Sequence, residues 1–271
     1  MLKTPKVKKF KVKKKDPLWG RFLSVFVRIF KRKPKFINLN GGASEGQDLP
    51  KRCILIANHN GAGGPFSVRF FLKHRIMIWG AHPMCEGFRS RRRYLYHIFY
   101  RQKLGWSKPR AFFMSIFFGM FSKVVYSYAG MIPTYTDGRY LNTIKNSMQC
   151  IEEDVSVLIF PEDSSEGYKA IIERFFPGFV HFAKLYYKRH KEDLPIFTCY
   201  YHKKPKTIVI GKPMYLQQLL EIGTEDDALE TFRVYMNSLA AYVNPPQKPD
   251  KVEVLESELK QDELVPSYNE Q

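Results

Sequence analysis

The chain has 271 residues, 44 % of them hydrophobic and 15 % aromatic, which is enough apolar material for one large domain. Lys and Arg number 44 against 26 Asp and Glu, a formal net charge of +18. This composition excludes an acidic disordered chain, a collagen and a disulfide-built miniprotein, and the four scattered cysteines fit a reducing compartment.

The charge is concentrated at the start. Residues 1–35 hold fourteen basic side chains and one acid, Asp16, so +13 lies in this arm, while 36–247 carry +9 and 248–271 carry −4. Residues 1–15 alternate lysine with single apolar residues and offer nothing to pack, which predicts a tail. In 18–33, Phe22, Val25, Phe26, Ile29 and Phe30 recur at three- and four-residue spacing, with Arg21, Ser24, Arg28 and Lys31 opposite. Asp16-Pro17 offers a start and Pro34 a stop. An amphipathic helix is predicted in which Trp19, Phe22, Phe26 and Phe30 enter a membrane interface while Arg21, Arg28 and Lys31 meet anionic headgroups. Packing on its own domain and binding of another polyanion are the alternatives for this helix. Arg21 and Arg28 interrupt the apolar run, so no secretory leader is expected, and the apolar segment Ala111–Phe121 is too short for a bilayer span.

Beyond a polar, Gly-rich loop at 38–50, short apolar runs at 53–57, 76–79, 155–160, 196–200 and 207–210 predict strands. Helices are predicted over 65–72, 141–152, 179–188 and 229–243; between them lie a basic, aromatic stretch at 89–103 and a strongly apolar one at 111–128. The expected fold is α/β, a central mixed sheet flanked by helices. The expected domains are an arm and interface helix at 1–37, the α/β domain at 38–247 and an acidic tail at 248–271.

Two loops directly follow predicted strands: Asn58-His59-Asn60-Gly61-Ala62-Gly63-Gly64-Pro65 and Phe160-Pro161-Glu162-Asp163-Ser164-Ser165-Glu166-Gly167. Strand ends are where α/β folds hold reactive groups. His59 can take a proton from an alcohol near neutral pH, and Gly61, Gly63 and Gly64 let backbone amides approach a substrate. Glu162 and Asp163 can orient a hydroxyl or a histidine. The seven histidines form no close metal-ligand spacing, no nucleotide fingerprint is present, and no metal or bound cofactor is expected.

These motifs resemble the glycerolipid (1-acylglycerol-3-phosphate) acyltransferases. Asn58, His59, Pro65 and Phe66 match the first block, Gly130–Thr136 is similar to the second and Phe160–Glu166 to the third. Gly178, Leu194-Pro195-Ile196 and Ile208–Pro213 follow in order, so the correspondence spans about 51 to 214. The resemblance implies an acyltransferase-like fold and transfer of a fatty acyl group from acyl-CoA or acyl carrier protein to a hydroxyl of a lysophospholipid, as a step of phospholipid biosynthesis. His59 would be the general base. The chain would be peripheral to the cytoplasmic face of a membrane, with anionic lipids as partners.

Three positions depart from the pattern. Gly64 stands where the family has an Asp after four intervening residues, and Thr136 and Ser165 stand where it has arginines. Asp163, then Glu162, then Glu86 are the expected substitutes for the missing carboxylate. Asn58, Arg139, Ser164 and Lys212 are expected at the substrate, and Arg89, Arg91, Arg92 and Arg93 could face lipid headgroups or the phosphates of an acyl carrier. A catalytically silent, lipid-binding relative and a nucleic-acid-binding protein using the basic arm are the alternatives; nucleic acid is the less favoured partner.

Overall fold

The computed structural model describes residues 10–12, 25, 28, 29, 32–42, 46, 48–60, 63–169 and 171–243. The tail at 1–15 lies outside these residues apart from 10–12, and the acidic tail lies wholly outside them. Of the segment 18–33 predicted as an amphipathic helix only Val25, Arg28, Ile29, Arg32 and Lys33 are described, the last two outside any helix; Trp19, Arg21, Phe22, Phe26, Phe30 and Lys31 are not described. Arg28 donates Nε–H to the carbonyl of Phe70 at 3.1 Å, while Val25 and Ile29 are exposed.

Among the described residues, seven strands form one sheet. They are β1 (Lys35–Asn38), β2 (Ile54–Ala57), β3 (Ile76–Ala81), β4 (Met131–Thr134), β5 (Ser156–Ile159), β6 (Pro195–Lys203) and β7 (Lys206–Tyr215), in the order β1-β7-β6-β2-β5-β3-β4. Neighbours run parallel except β6 and β7, which are antiparallel. This is the α/β class with the mixed, helix-flanked sheet that the sequence predicts. β1 extends the sheet into residues 35–37, which the sequence reading assigns to the arm. Its four residues, Lys-Phe-Ile-Asn, are too short and too polar at the ends to announce a strand.

β2 and β5 are buried on both faces, so alternate side chains serve opposite cores. Ile54, Ile56, Val157 and Ile159 pack under α4 (Tyr140–Glu152), α5 (Gly178–His190) and α7 (Glu225–Ser238), joined by Phe179, Phe182 and Phe232. Leu55, Ala57 and Leu158 face the other way, against Val68 of α1 (Gly63–Phe71). A short α6 (Leu216–Ile222) precedes α7. α7 begins four residues before its expected start because Thr224 and Asp227 form a reciprocal capping box ahead of a polar first turn that hydrophobic periodicity does not register.

The connection from β3 to β4 is a long helical crossover. It holds a 3₁₀ turn (His82–Cys85), α2 (Phe88–Tyr94), a π-helical segment (Leu95–Lys103) and α3 (Lys108–Ala129). Met84, Leu95, Tyr100 and Ala111 give it a small core of its own, with Tyr100 stacked on Trp106 at 4.7 Å. Arg69 of α1 caps the far end of α3, donating to the carbonyls of Tyr128 and Ala129. Among the described residues, no helix is long and apolar enough to cross a membrane.

Candidate active site

β2 and β5 are adjacent and parallel, so the loops after them emerge side by side. This brings together His59 and Glu162. The Glu162 carboxylate accepts the main-chain N–H of His59 at 2.8 Å and is itself buried. Burial raises the Glu162 carboxyl above its ordinary range, opposed by the N–H of His59, the charge of Lys103 and the N–H of Asn60. Glu162 therefore fixes the backbone that carries His59. The imidazole ring stacks on Tyr168, with centroids 5.0 Å apart and planes 23° from parallel, and meets Phe160 edge-on at 5.4 Å.

The crossover delivers a cation to the same place. Lys103, the last residue of the π-helical segment, donates to the hydroxyl of buried Ser164 at 2.6 Å and lies 5.7 Å over the Tyr168 ring. Burial lowers its ammonium pKa, while Glu162 and Asp163 pull it back up. Gly167, at φ +103°, lets the loop turn with its Cα beside the carbonyl of Lys103; a Cβ there would sit 3.4 Å from that oxygen. The assembled group is an imidazole, a buried carboxylate, a half-buried ammonium, a hydroxyl and a phenol. It can remove a proton from a hydroxyl and offer positive charge to a developing anion.

Several expected positions have other work. Asp163, the expected substitute partner of His59, has its carboxylate engaged by Arg174, at 2.9 Å from Nε, and by the N–H of Ser165. Those contacts outweigh its burial and hold it below the usual carboxylate range. Asn58 is buried and spans to β6, accepting the N–H of Tyr201 at 2.6 Å and donating to the carbonyl of Tyr201 at 2.9 Å, so its amide is not open to substrate. Arg139 is bound to Asp137 within its own turn, through Nε at 3.0 Å and Nη2 at 2.7 Å, and rests on the Tyr135 ring. Lys212 lies on β7, two strands from β2 and level with the middle of that strand, so the fold does not bring it to the strand end. Arg91 is buried, bonded to the carbonyls of Gly119 and Glu86, and faces no lipid or carrier, whereas Arg89, Arg92 and Arg93 are exposed.

The glycines divide as well. Gly61 lies outside the described residues. Gly63 is in α1, where a Cβ would meet the Tyr201 ring at 3.3 Å. Gly64 is tighter: a Cβ there would stand 2.4 Å from the carbonyl oxygen of His59 and 2.9 Å from that of Asn58. Both are backbone atoms, so Gly64 marks a close approach of α1 to the His59 loop rather than a vacant place for a carboxylate. Lys103, Tyr168 and Tyr201 are absent from the sequence reading. Lys103 ends a stretch whose basic character suggests only surface, and Tyr168 sits in a loop without periodicity.

No protein-family model matches the chain. No curated protein matches it either. Among solved structures, the chain is similar to the 1-acyl-sn-glycerophosphate (LPA) acyltransferase PlsC from Thermotoga maritima, with 10% sequence identity and a TM-score of 0.47, covering 85% of this chain and 78% of that one. At that identity and score the likeness assigns no residue a role.

Proposed function

We propose that the protein is a membrane-associated acyltransferase that moves a fatty acyl group from an acyl thioester, acyl-CoA or acyl carrier protein, to a hydroxyl of a lysophospholipid. The observation that carries this reading is the junction of His59 and Glu162 at the ends of two paired parallel strands, with Lys103 and Ser164 beside them. An imidazole nitrogen of His59 takes the proton of the acceptor hydroxyl as its oxygen attacks the thioester carbonyl. The tetrahedral oxyanion collapses, the C–S bond breaks, and the imidazolium returns the proton to the leaving thiolate. Positioned proton transfer of this kind contributes roughly 10²–10⁴-fold. The Lys103 ammonium, desolvated and held by Ser164, supports the reading as a source of charge for the oxyanion or a substrate phosphate. Glu162 acts through the main chain and is a positioning residue.

The test is thiol release from palmitoyl-CoA on addition of lysophosphatidate to the purified chain. His59→Ala is expected to lower the rate by at least about 10²-fold; unchanged turnover would remove His59 from the role of base. A second reading, a silent lipid-binding relative, draws on the engagement of Asp163 by Arg174 and of Glu162 by the main chain. Lysolipid binding by wild-type protein that releases no thiol with either donor would favour it.

A further inference from the structure

Helix α3 is built inside out. Its inner face is a row of small side chains, Ala111, Ser115, Gly119 and Ser122, buried at four- and three-residue steps. At Gly119 the approach to α2 is close, since a Cβ would lie 3.1 Å from the Phe88 ring. The large apolar side chains take the outer face: Phe112, Phe113, Phe117, Met120, Phe121 and Val124 are all exposed, Phe113 by 69 %, Phe117 by 51 % and Phe121 by 54 %. A surface helix of a soluble protein has the opposite polarity, and a contiguous apolar patch of this kind marks an interaction face.

The charge around the face identifies what it meets. Between Glu86 and Asp137 there is no acidic residue, against nine Lys and Arg. Arg89, Arg92, Arg93, Lys108, Arg110 and Lys123 of this segment are exposed. Two of them set their guanidinium groups over aromatic rings, Arg92 at 5.3 Å from the Phe112 centroid and Arg110 at 4.0 Å from that of Trp106, so charge and apolar surface meet at the edge of the face. A second copy of the chain would set this cationic rim against its own like. A nucleic acid would answer the charge and leave the phenylalanines in water. An anionic lipid surface answers both. We propose that the outer face of α3 docks on an anionic lipid bilayer, with its phenylalanines in the boundary between headgroups and acyl chains and its arginines and lysines on lipid phosphates.

This face is distinct from the amphipathic segment at 18–33, and the two need not act alone. Arg28 bonds to Phe70, which stacks on Tyr128 of α3, and Val25 and Ile29 on either side of Arg28 in the chain are exposed. α3 also packs on the π-helical segment that ends in Lys103, which places the candidate site one element away from the lipid. That last consequence rests on the proposed acyl transfer; the docking itself does not.

The experiment is cosedimentation of the full chain with vesicles of equal parts phosphatidylglycerol and phosphatidylcholine. Binding is read at about 0.5 M NaCl, where the screening length falls to about 4 Å and the lysine arm contributes little. Phe113→Ser/Phe117→Ser/Phe121→Ser is expected to weaken binding roughly tenfold or more, with unchanged circular dichroism. Ile222→Ser, at a residue 86 % exposed on α6, is expected to bind as wild type. Should the triple variant misfold, Phe113→Asp alone carries the test and is expected to weaken binding in the same sense. Wild-type binding by the triple variant overturns the proposal, as does a wild-type dimer that these substitutions dissolve, or tight duplex DNA binding without vesicle binding. Loss of acyl transfer in a variant that still binds vesicles counts against the proposed function and leaves this surface standing.

Discussion

Gly64 carries the sharpest difference between what the sequence suggests and what the fold permits. As a letter it is a missing acid; in space it is the point where α1 touches the carbonyls of Asn58 and His59. Gly64→Asp is therefore expected to gain no activity and to lose stability by about 1–3 kcal/mol, as overpacking of a tight site does, measured by thiol release and urea unfolding. A gain in turnover with stability intact would show that α1 yields there. The residue types and their order along the chain made His59 and the Glu162 loop legible. What each side chain bonds to was not, because Asn58–Tyr201 and Asp163–Arg174 are partnerships set by three-dimensional neighbours. His74 is another such case. Its ring bonds the hydroxyl of Ser156 at 2.8 Å, and burial, with the charge of Arg75, pushes its pKa down to about 4 from 6.5. The unfolded chain binds the proton more tightly, so stability present above pH 6.5 is lost as pH falls towards about 4. Between pH 7 and about 4.5 the loss from this group is about 2 kcal/mol, and His74→Gln should remove that share from the pH dependence of urea unfolding.

At the scale of elements, the crossover depends on one buried guanidinium. Arg91 joins α2 to the carbonyl of Gly119 at 3.2 Å and to that of Glu86. Arg91→Met is expected to cost about 2–3 kcal/mol, since both carbonyls lose a charged donor in a water-poor place. Arg91→Lys should recover only part of this, because an ammonium cannot fork between two elements as a guanidinium does; urea unfolding of both variants decides. The strands with continuous apolar runs, β2 and β5, were readable from the chain, and so was the apolar stretch that becomes α3. Which face of α3 lies outward was not readable. A helix apolar on all sides has no stripe to orient it, and the bulk of its side chains, small inward and large outward, settles the matter only once α2 is in place.

At the scale of the whole molecule, the described residues form a sheet with the candidate site at one end. β2, β3 and β5 point the same way, and the loops and crossover that follow them converge on His59. The +18 of the sequence is correspondingly uneven. Besides the arm and the rim of α3, a cleft of about 750 Å³ between the start of β1 and the β6–β7 hairpin is lined by Arg32, Lys33, Lys35, Lys203, Lys204 and Lys206, with no acid among the described residues of its lining. Hairpin turn and site share an end of the sheet, for Tyr201 lies on β6 just before that turn and is the residue that Asn58 grips. That grip engages both main-chain polar groups of Tyr201 with a single amide, at 2.6 Å and 2.9 Å, and so extends the β2–β6 ladder past Ala57 by a side chain. Its consequence is a clock that runs without substrate. The Tyr201 amide proton should exchange with solvent only when this end of the sheet opens, and Asn58→Asp, which can accept but not donate, should quicken that exchange by roughly tenfold or more. Hydrogen exchange at one backbone position thus reports whether the floor beneath His59 is whole, in the protein alone.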